Sequence, residues 1–327
     1  MHDRPTRKSE KQPETAAGIG EFGLIDLFST IVPPGEGTVA GIGDDAAVLT
    51  REGGEAGYLL LATDCVCEGV HFLREQGAER IGRKALAVNL SDIAAMGGVP
   101  RWAAVGLGIP PDLPVEFAVG LYRGMSALAR THGVGIVGGD TYSSREGVCL
   151  GVTVLGEVEP DHLARRSGAA PGQAICVTGT LGNAAAGKHL DFTPRLLEAR
   201  FLTGAFPVGA MIDISDGLGA DLEKLCRASG TGAAVRLESL PVEGGDGTDE
   251  AAAAAAAGSG EEFELLFSLP PERVPELLEV FPRRTGCPVT VVGEILPEED
   301  GLCFTFQGRP RSRTPRGYDH FRRGEPR

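Results

Sequence analysis

Residues Ala210–Leu218 read AMIDISDGL, an apolar run that ends in two carboxylates and a glycine. Val208–Ile214 predicts a strand, and Gly219–Ser229 predicts a helix directly after it. Period-two spacing puts Asp213 and Ser215 on one face of that strand. The start of the helix is expected to offer free N–H groups and a positive dipole end, which suit a phosphate. Asp216 stands at the turn itself. No other Asp-bearing turn in the chain carries as strong a signal.

Working outward, Gln173–Thr178, Ala233–Leu237, Glu264–Leu269 and Val289–Ile295 predict further strands, and Pro271–Phe281 predicts a helix. Glu243–Gly260 contains a seven-alanine run between glycines, expected as a low-complexity surface insertion or a loosely held helix. Towards the amino terminus, Val39–Leu49, Tyr58–Ala62, Trp102–Ile109, Val134–Val137 and Val148–Val158 predict strands. Glu79–Met96 predicts a strong helix with Leu86, Leu90 and Ile93 on one face, and Pro114–His132 a second, closed by Gly133. Glu21–Ile31 has near-helical spacing, and order is expected from Glu21 onward. The elements do not alternate as a βαβ repeat, so the fold class is α+β. The expected organisation is a disordered tail at residues 1–17, one domain at 18–158 and a second at 159–327, each burying its own core.

Composition narrows the function. The net charge of −14 comes from 45 acidic and 31 basic residues, with no basic run in the body of the chain, so no nucleic-acid partner is expected. No apolar run approaches the roughly 20 residues that span a bilayer. Seven scattered cysteines, with no secretory segment ahead of them, predict reduced thiols in a cytoplasmic protein. Cys65 and Cys67 are one residue apart and lack a second pair at zinc spacing.

What acidity alone leaves unexplained is carboxylates set among apolar residues and glycines. Gly41–Ala46 (GIGDDA) places Asp45 after a Gly-rich turn; a capped turn accounts for it about as well as a cation ligand. Asp64 follows Thr63 at the predicted end of a strand, with His71 seven residues on. Asp92 lies in an apolar helix with Asn89 on the same face, where an unpartnered charge is costly, so function is favoured over packing. Ile136–Tyr142 (IVGGDTY) offers two glycines for close approach to a phosphate and Asp140 for a metal. Gly258–Leu266 (GSGEEFELL) brings Glu261, and Gly317–Phe321 (GYDHF) brings Tyr318, docked or stacked on a ligand. There is no GxxxxGK[ST] loop, so cations rather than a loop lysine must neutralise a polyphosphate.

Taken in order, GIGDDAAVL, TDCVCEGVHF, KALAVNLSDIAAMGGVP, IVGGDT, RSGAAPG, VTGTLG, IDISDGLGADL, GEEFELLF and GYDHF resemble the thiamine-monophosphate kinase family, within the aminoimidazole ribonucleotide synthetase-like superfamily, from about Glu21 to Phe321. The resemblance implies two α+β domains with mixed or antiparallel sheets flanked by helices. It implies ATP-dependent phosphorylation of thiamine monophosphate to thiamine diphosphate, assisted by several Mg²⁺ ions, in a homodimer joined through the amino-terminal domain. By motif position it makes Asp45, Thr63, Asp64, Asp92, Asp140, Asp213 and Asp216 metal ligands. It makes Gly139, Asp140, Arg166 and Ser215 contacts to ATP, and His71, Glu261 and Tyr318 contacts to the thiamine phosphate, with Asp45, Asp64, Asp216 and Arg166 at the chemistry. The chain departs from the family pattern at Ala62, Asn183, Ser259 and Glu262, and the stretch at Gly187–Lys188 is short. A sister ATP-dependent synthetase and a catalytically weak nucleotide or thiamine-phosphate binder are the alternatives. The first is disfavoured by the IDISDGL and GYDHF wording, the second by so many costly carboxylates.

Overall fold

The structure, a computed structural model, describes residues 15–51, 56–245, 247–311, 315 and 317–321. Most of the expected tail therefore lies outside the described residues. Contacts divide the chain into two units. The small one contains helix α1 (Ala16–Ile31), kinked at Gly20 and beginning five residues before Glu21. The large one runs from Pro34 to Tyr318.

In the large unit, β1 (Thr38–Ala40), β2 (Ala47–Thr50), β3 (Tyr58–Cys67), helix α2 (Ala78–Ala95), β4 (Val99–Ile109), helix α3 (Val115–His132), β5 (Gly135–Ser143) and β6 (Cys149–Val158) come first. Their strands form one sheet in the order β1-β2-β3-β6-β4-β5. The long strand β3 pairs with β6 antiparallel throughout, from Tyr58↔Val158 to Cys67↔Cys149, and β4 pairs with β5 in parallel. Alternation sends Leu60, Ala62 and Val66 of β3, with Leu150, Val152 and Val154 of β6, into the core, against which α2 packs. Leu61 and Cys65 of β3 alternate onto the other face and are exposed. The two helices approach closely because each offers a glycine. A Cβ on Gly82 would meet Leu121 O at 1.9 Å, and one on Gly124 would meet Glu79 O at 1.8 Å.

The second group comprises β7 (Ala174–Thr178), α4 (His189–Asp191), α5 (Leu196–Ala205), β8 (Met211–Asp213), α6 (Leu218–Ser229), β9 (Thr231–Arg236), α7 (Glu250–Gly258), β10 (Leu265–Leu269), α8 (Val274–Thr285), β11 (Val289–Pro297), β12 (Leu302–Phe306) and β13 (Arg309–Pro310). The sheet order is β13-β12-β9-β11-β7-β10-β8. Both sheets mix parallel and antiparallel pairs, as the α+β expectation requires.

The cores differ from the expectation of one per domain. Ala174 and Cys176 of β7, with Leu265, Phe267 and Leu269 of β10, join the core formed around α2. Ile175, Val177 and Leu266 alternate into a second core with α6 and α7. One face of the second sheet thus completes the first sheet's core, and α2 is shared by both. That sharing carries residues of both halves into one site.

Several boundaries also move. The predicted strand Val39–Leu49 is two strands separated by the Gly41–Ala46 turn. Strand β3 runs on to Cys67, so Asp64 lies inside a strand rather than at its end, and the Gly138–Asp140 run lies inside β5. The alanine run is a packed helix. Asp249 caps α7 by accepting from Ala251 N and Ala252 N, and Ala253, Ala256 and Ala257 are buried. Small methyls allow this close packing, and composition alone does not distinguish it from a loose surface helix.

Candidate active site

Three carboxylates meet where the halves join. Asp45 comes from the turn between β1 and β2, Asp92 from the last turn of α2, and Asp213 from the end of β8. One oxygen of each lies within 4.8 Å of the others. The Asp45 side chain is 1% exposed and Asp213 is 2% exposed. Burial, then the charges of Asp64, Asp213 and Asp45, push the Asp92 carboxyl well above the usual carboxylate range. Burial and Asp45 do the same to Asp213, although Ser91 Oγ donates to Asp213 Oδ2 at 2.6 Å. Burial and the neighbouring Asp45 raise Asp44 to about 6.

Arg166 is the counter-charge. Its Nη2 donates to Asp45 Oδ1 at 2.6 Å and its backbone N to Asp44 Oδ1 at 3.1 Å. The other oxygen, Asp45 Oδ2, is buried with no hydrogen-bond partner among the described residues. Among the described residues, one guanidinium against these carboxylates, with a buried lone pair left over, is a poor arrangement for packing. It suits a hard divalent cation, which takes oxygen ligands and tolerates adjacent carboxylates.

The supports of this cluster explain other residues. Asn89, one turn before Asp92, accepts from Asp64 N at 2.9 Å through Oδ1 and donates to Ala85 O at 3.1 Å, which ties β3 to α2. Thr63 lies one residue from Asp64 and so points to the opposite face. Its Oγ1 meets Thr153 Oγ1 at 3.0 Å and Val152 O at 3.2 Å, so the hydroxyl is not part of the carboxylate group.

Gly139 and Asp140 are also kept apart from it. The row Asp64–Val152–Val105–Gly139 crosses four strands, so Gly139 lies about 14 Å from Asp64 at the usual strand spacing. Asp140 is exposed on this outermost strand. Gly139 has φ 153° and a Cβ there would meet Val105 O at 1.9 Å, so strand packing by itself requires a glycine.

On the second-half side, the start of α6 is less open than expected. Asp216 N and Gly217 N both donate to Asp221 Oδ2 at 3.0 Å. Lys224 Nζ then bridges Asp216 Oδ2 at 2.7 Å and Asp221 Oδ1 at 2.6 Å. Burial raises Asp221 to about 6 even against Lys224. Asp216 is therefore held by a lysine, beside rather than within the three-carboxylate cluster.

The same turn gathers the remaining candidates. Ser215 O accepts from Glu261 N at 2.7 Å, and Asp216 O accepts from Tyr318 N at 2.9 Å. His71 Nδ1 accepts from Cys67 N at 3.0 Å. Lys84, which is 0% exposed, donates to His71 O at 2.6 Å and Glu261 Oε1 at 2.6 Å, and meets His189 Nδ1 at 2.7 Å. Lys84, His189, Asp221 and Lys224 were missed from sequence. Lys84 lies in the same helix as Asp92, but a lysine there ordinarily reads as solvated.

Two family models match the chain: AIR synthase related protein, N-terminal domain, over residues 43–158, and its C-terminal domain over residues 170–302. A thiamine-monophosphate kinase of Salmonella typhimurium is 35% identical, over 92% of this chain and 98% of that protein. One from Rhodopirellula baltica is 38% identical, over 78% and 83%. The chain belongs to the thiamine-monophosphate kinase family. Its fold agrees with a solved structure described as AaThiL complexed with AMPPCP and TMP, with a TM-score of 0.78, 31% identity, and 92% of this chain and 97% of that one covered. Membership and geometry meet in the same residues, since Asp45, Asp92 and Asp213 lie within the two matched regions. No described helix is long and apolar enough to cross a membrane.

Proposed function

We propose that this chain transfers the terminal phosphoryl group of ATP to thiamine monophosphate, giving thiamine diphosphate and ADP. The cluster of Asp45, Asp92 and Asp213, with its buried unpartnered oxygen, carries this reading. The relatives' name and the AaThiL complex with AMPPCP and TMP, which we take as an ATP analogue and thiamine monophosphate, support it.

Asp45, Asp92 and Asp213 fit Mg²⁺, with Asp64 and Asp216 flanking a site for further ions. When bound, Mg²⁺ supplies charge neutralisation at the phosphate oxygens. The acceptor oxygen is already ionised near neutral pH, so the protein needs no strong base; its task is to align donor and acceptor in line. Arg166 offers a planar guanidinium to phosphate oxygens once Asp45 is shared with a cation. Ser215 flanks the nucleotide. His71, Glu261 and Tyr318 flank the acceptor, where the Tyr318 ring can stack on thiamine.

We also propose a homodimer through the first sheet. Leu61, Trp102, Val137 and Tyr142 are exposed there, an apolar surface suited to a second copy. Asp140, with Gly139, would act on ATP from that edge.

The test is direct. Purified protein with ATP, Mg²⁺ and thiamine monophosphate should release ADP and yield thiamine diphosphate on chromatography. ATP binding without product would overturn the kinase reading in favour of a binding protein; product only from another acceptor would favour a sister enzyme.

A further inference from the structure

We propose that Lys84 is a positioning residue for the acceptor, holding Glu261 and the His71 turn in a single geometry. This rests on the reading of His71 and Glu261 as the thiamine-phosphate side. Lys84 sits in the middle of α2 and is completely buried, yet its ammonium meets acceptors from three segments that are remote in sequence. These are His71 O, His189 Nδ1 in α4 and Glu261 Oε1. An ammonium only donates, so His189 Nδ1 must accept and the ring proton sits on Nε2. The 3.2 Å approach of Glu261 Oε2 to the same Nδ1 is then a close contact rather than a hydrogen bond.

Glu261 needs such a hold. Its backbone has φ 61°, in the left-handed region that a glutamate rarely adopts, and its N–H is fixed to Ser215 O. Lys84 fixes the other end, so the carboxylate has little freedom to turn. The His71 turn is held likewise: His71 Nδ1 and N engage Cys67, and His71 O engages Lys84. Burying an ammonium is costly, and a well-packed apolar residue would often stabilise the fold as well. A charge kept here, between the two segments argued to face the acceptor and away from the three-carboxylate cluster, acts selectively on the acceptor.

The measurement is steady-state kinetics with each substrate varied, together with calorimetric binding of thiamine monophosphate. For Lys84→Met the KM and Kd for thiamine monophosphate should rise about tenfold, with the KM for ATP changed less than about twofold. Unchanged acceptor constants, or equal rises for both substrates, would overturn the proposal. Should Lys84→Met fail to fold, His189→Leu and His189→Asn make the same test. The leucine removes the acceptor for Lys84 and should weaken thiamine monophosphate, whereas the asparagine keeps an oxygen there and should weaken it less; equal effects would overturn the proposal. Wild-type protein that binds thiamine monophosphate without phosphorylating it would overturn the kinase reading alone, because the binding comparison still stands.

Discussion

Two groups of buried carboxylates in this protein look alike in composition and differ in charge balance. Glu262 and Glu264, 0% and 1% exposed, are met by Lys188 and Arg195. Glu262 Oε1 accepts from Gly182 N and Ser259 Oγ at 2.7 Å, and Glu264 Oε2 from Thr178 Oγ1 at 2.8 Å and Arg195 Nε at 2.7 Å. Every carboxylate oxygen of this pair has a partner. Around Asp45, Asp92 and Asp213, among the described residues, Arg166 faces several acids and one oxygen has no partner. The first group is complete as folded. The second lacks that balance among the described residues, which is what a site for an added cation would show. Burial of acids does not by itself mark a functional site; the missing counter-charge does.

The largest expected effect that separates the two is on turnover. Asp213→Asn should lower thiamine diphosphate formation by about a thousandfold, the scale of losing a charge-stabilising group in the reacting region. An unimpaired rate would make that acid a packing residue like Glu264. Conversely, Glu264→Gln should lower unfolding free energy by about 3 kcal/mol in urea titration, since it leaves the partly buried Arg195 and Lys188 under-paired beside a buried site. Its KM for ATP should stay near wild type, and a normal stability would break the contrast from the other side.

A smaller effect concerns pH. The raised Asp92 and Asp213 carboxyls bind protons more readily in the folded chain than in the unfolded one. Their stabilising protonation is therefore lost as pH rises above the ordinary carboxylate value of 3.8 towards the raised folded value. A divalent cation bound at the proposed site would replace those protons, so the Mg²⁺-induced rise in Tm should be larger at about pH 8 than at about pH 6. Equal shifts in a thermal scan would speak against competition between proton and metal. Smallest of all, Asp92→Asn should stabilise the metal-free protein by about 1 kcal/mol, the common result of relaxing a strained functional site. The Glu264→Gln change has the opposite sign.

Much of this was legible in sequence because charge in an apolar context is costly wherever the chain then folds. Asp92 within an apolar helix and Asp213 at the end of an apolar run announced themselves that way, whereas Asp45 after a glycine turn read equally well as a capped turn. Thr63 did not follow, since its neighbour's alternation with Leu60 and Ala62 puts the hydroxyl on the other face. The strand end near Asp140 was not legible: β5 runs past it to Ser143, and nothing local says so. Lys84 was hidden for a different reason. Its partners His189 and Glu261 lie 105 and 177 residues away, and a lysine on a helix ordinarily reads as solvated. The shared core was hidden likewise, because the alternation of β7 and β10 reveals two buried faces and not what covers each.

The central claim is that the cluster around Asp45 holds a divalent cation. Calorimetric titration of Mn²⁺ into nucleotide-free wild-type protein and Asp45→Asn tests it most directly. Asparagine keeps an oxygen for Arg166 and removes the charge that faces the cluster. Binding in the wild type that weakens at least about tenfold in Asp45→Asn, with unfolding still cooperative, is the predicted result. Equal Mn²⁺ affinity in the two proteins would contradict the account.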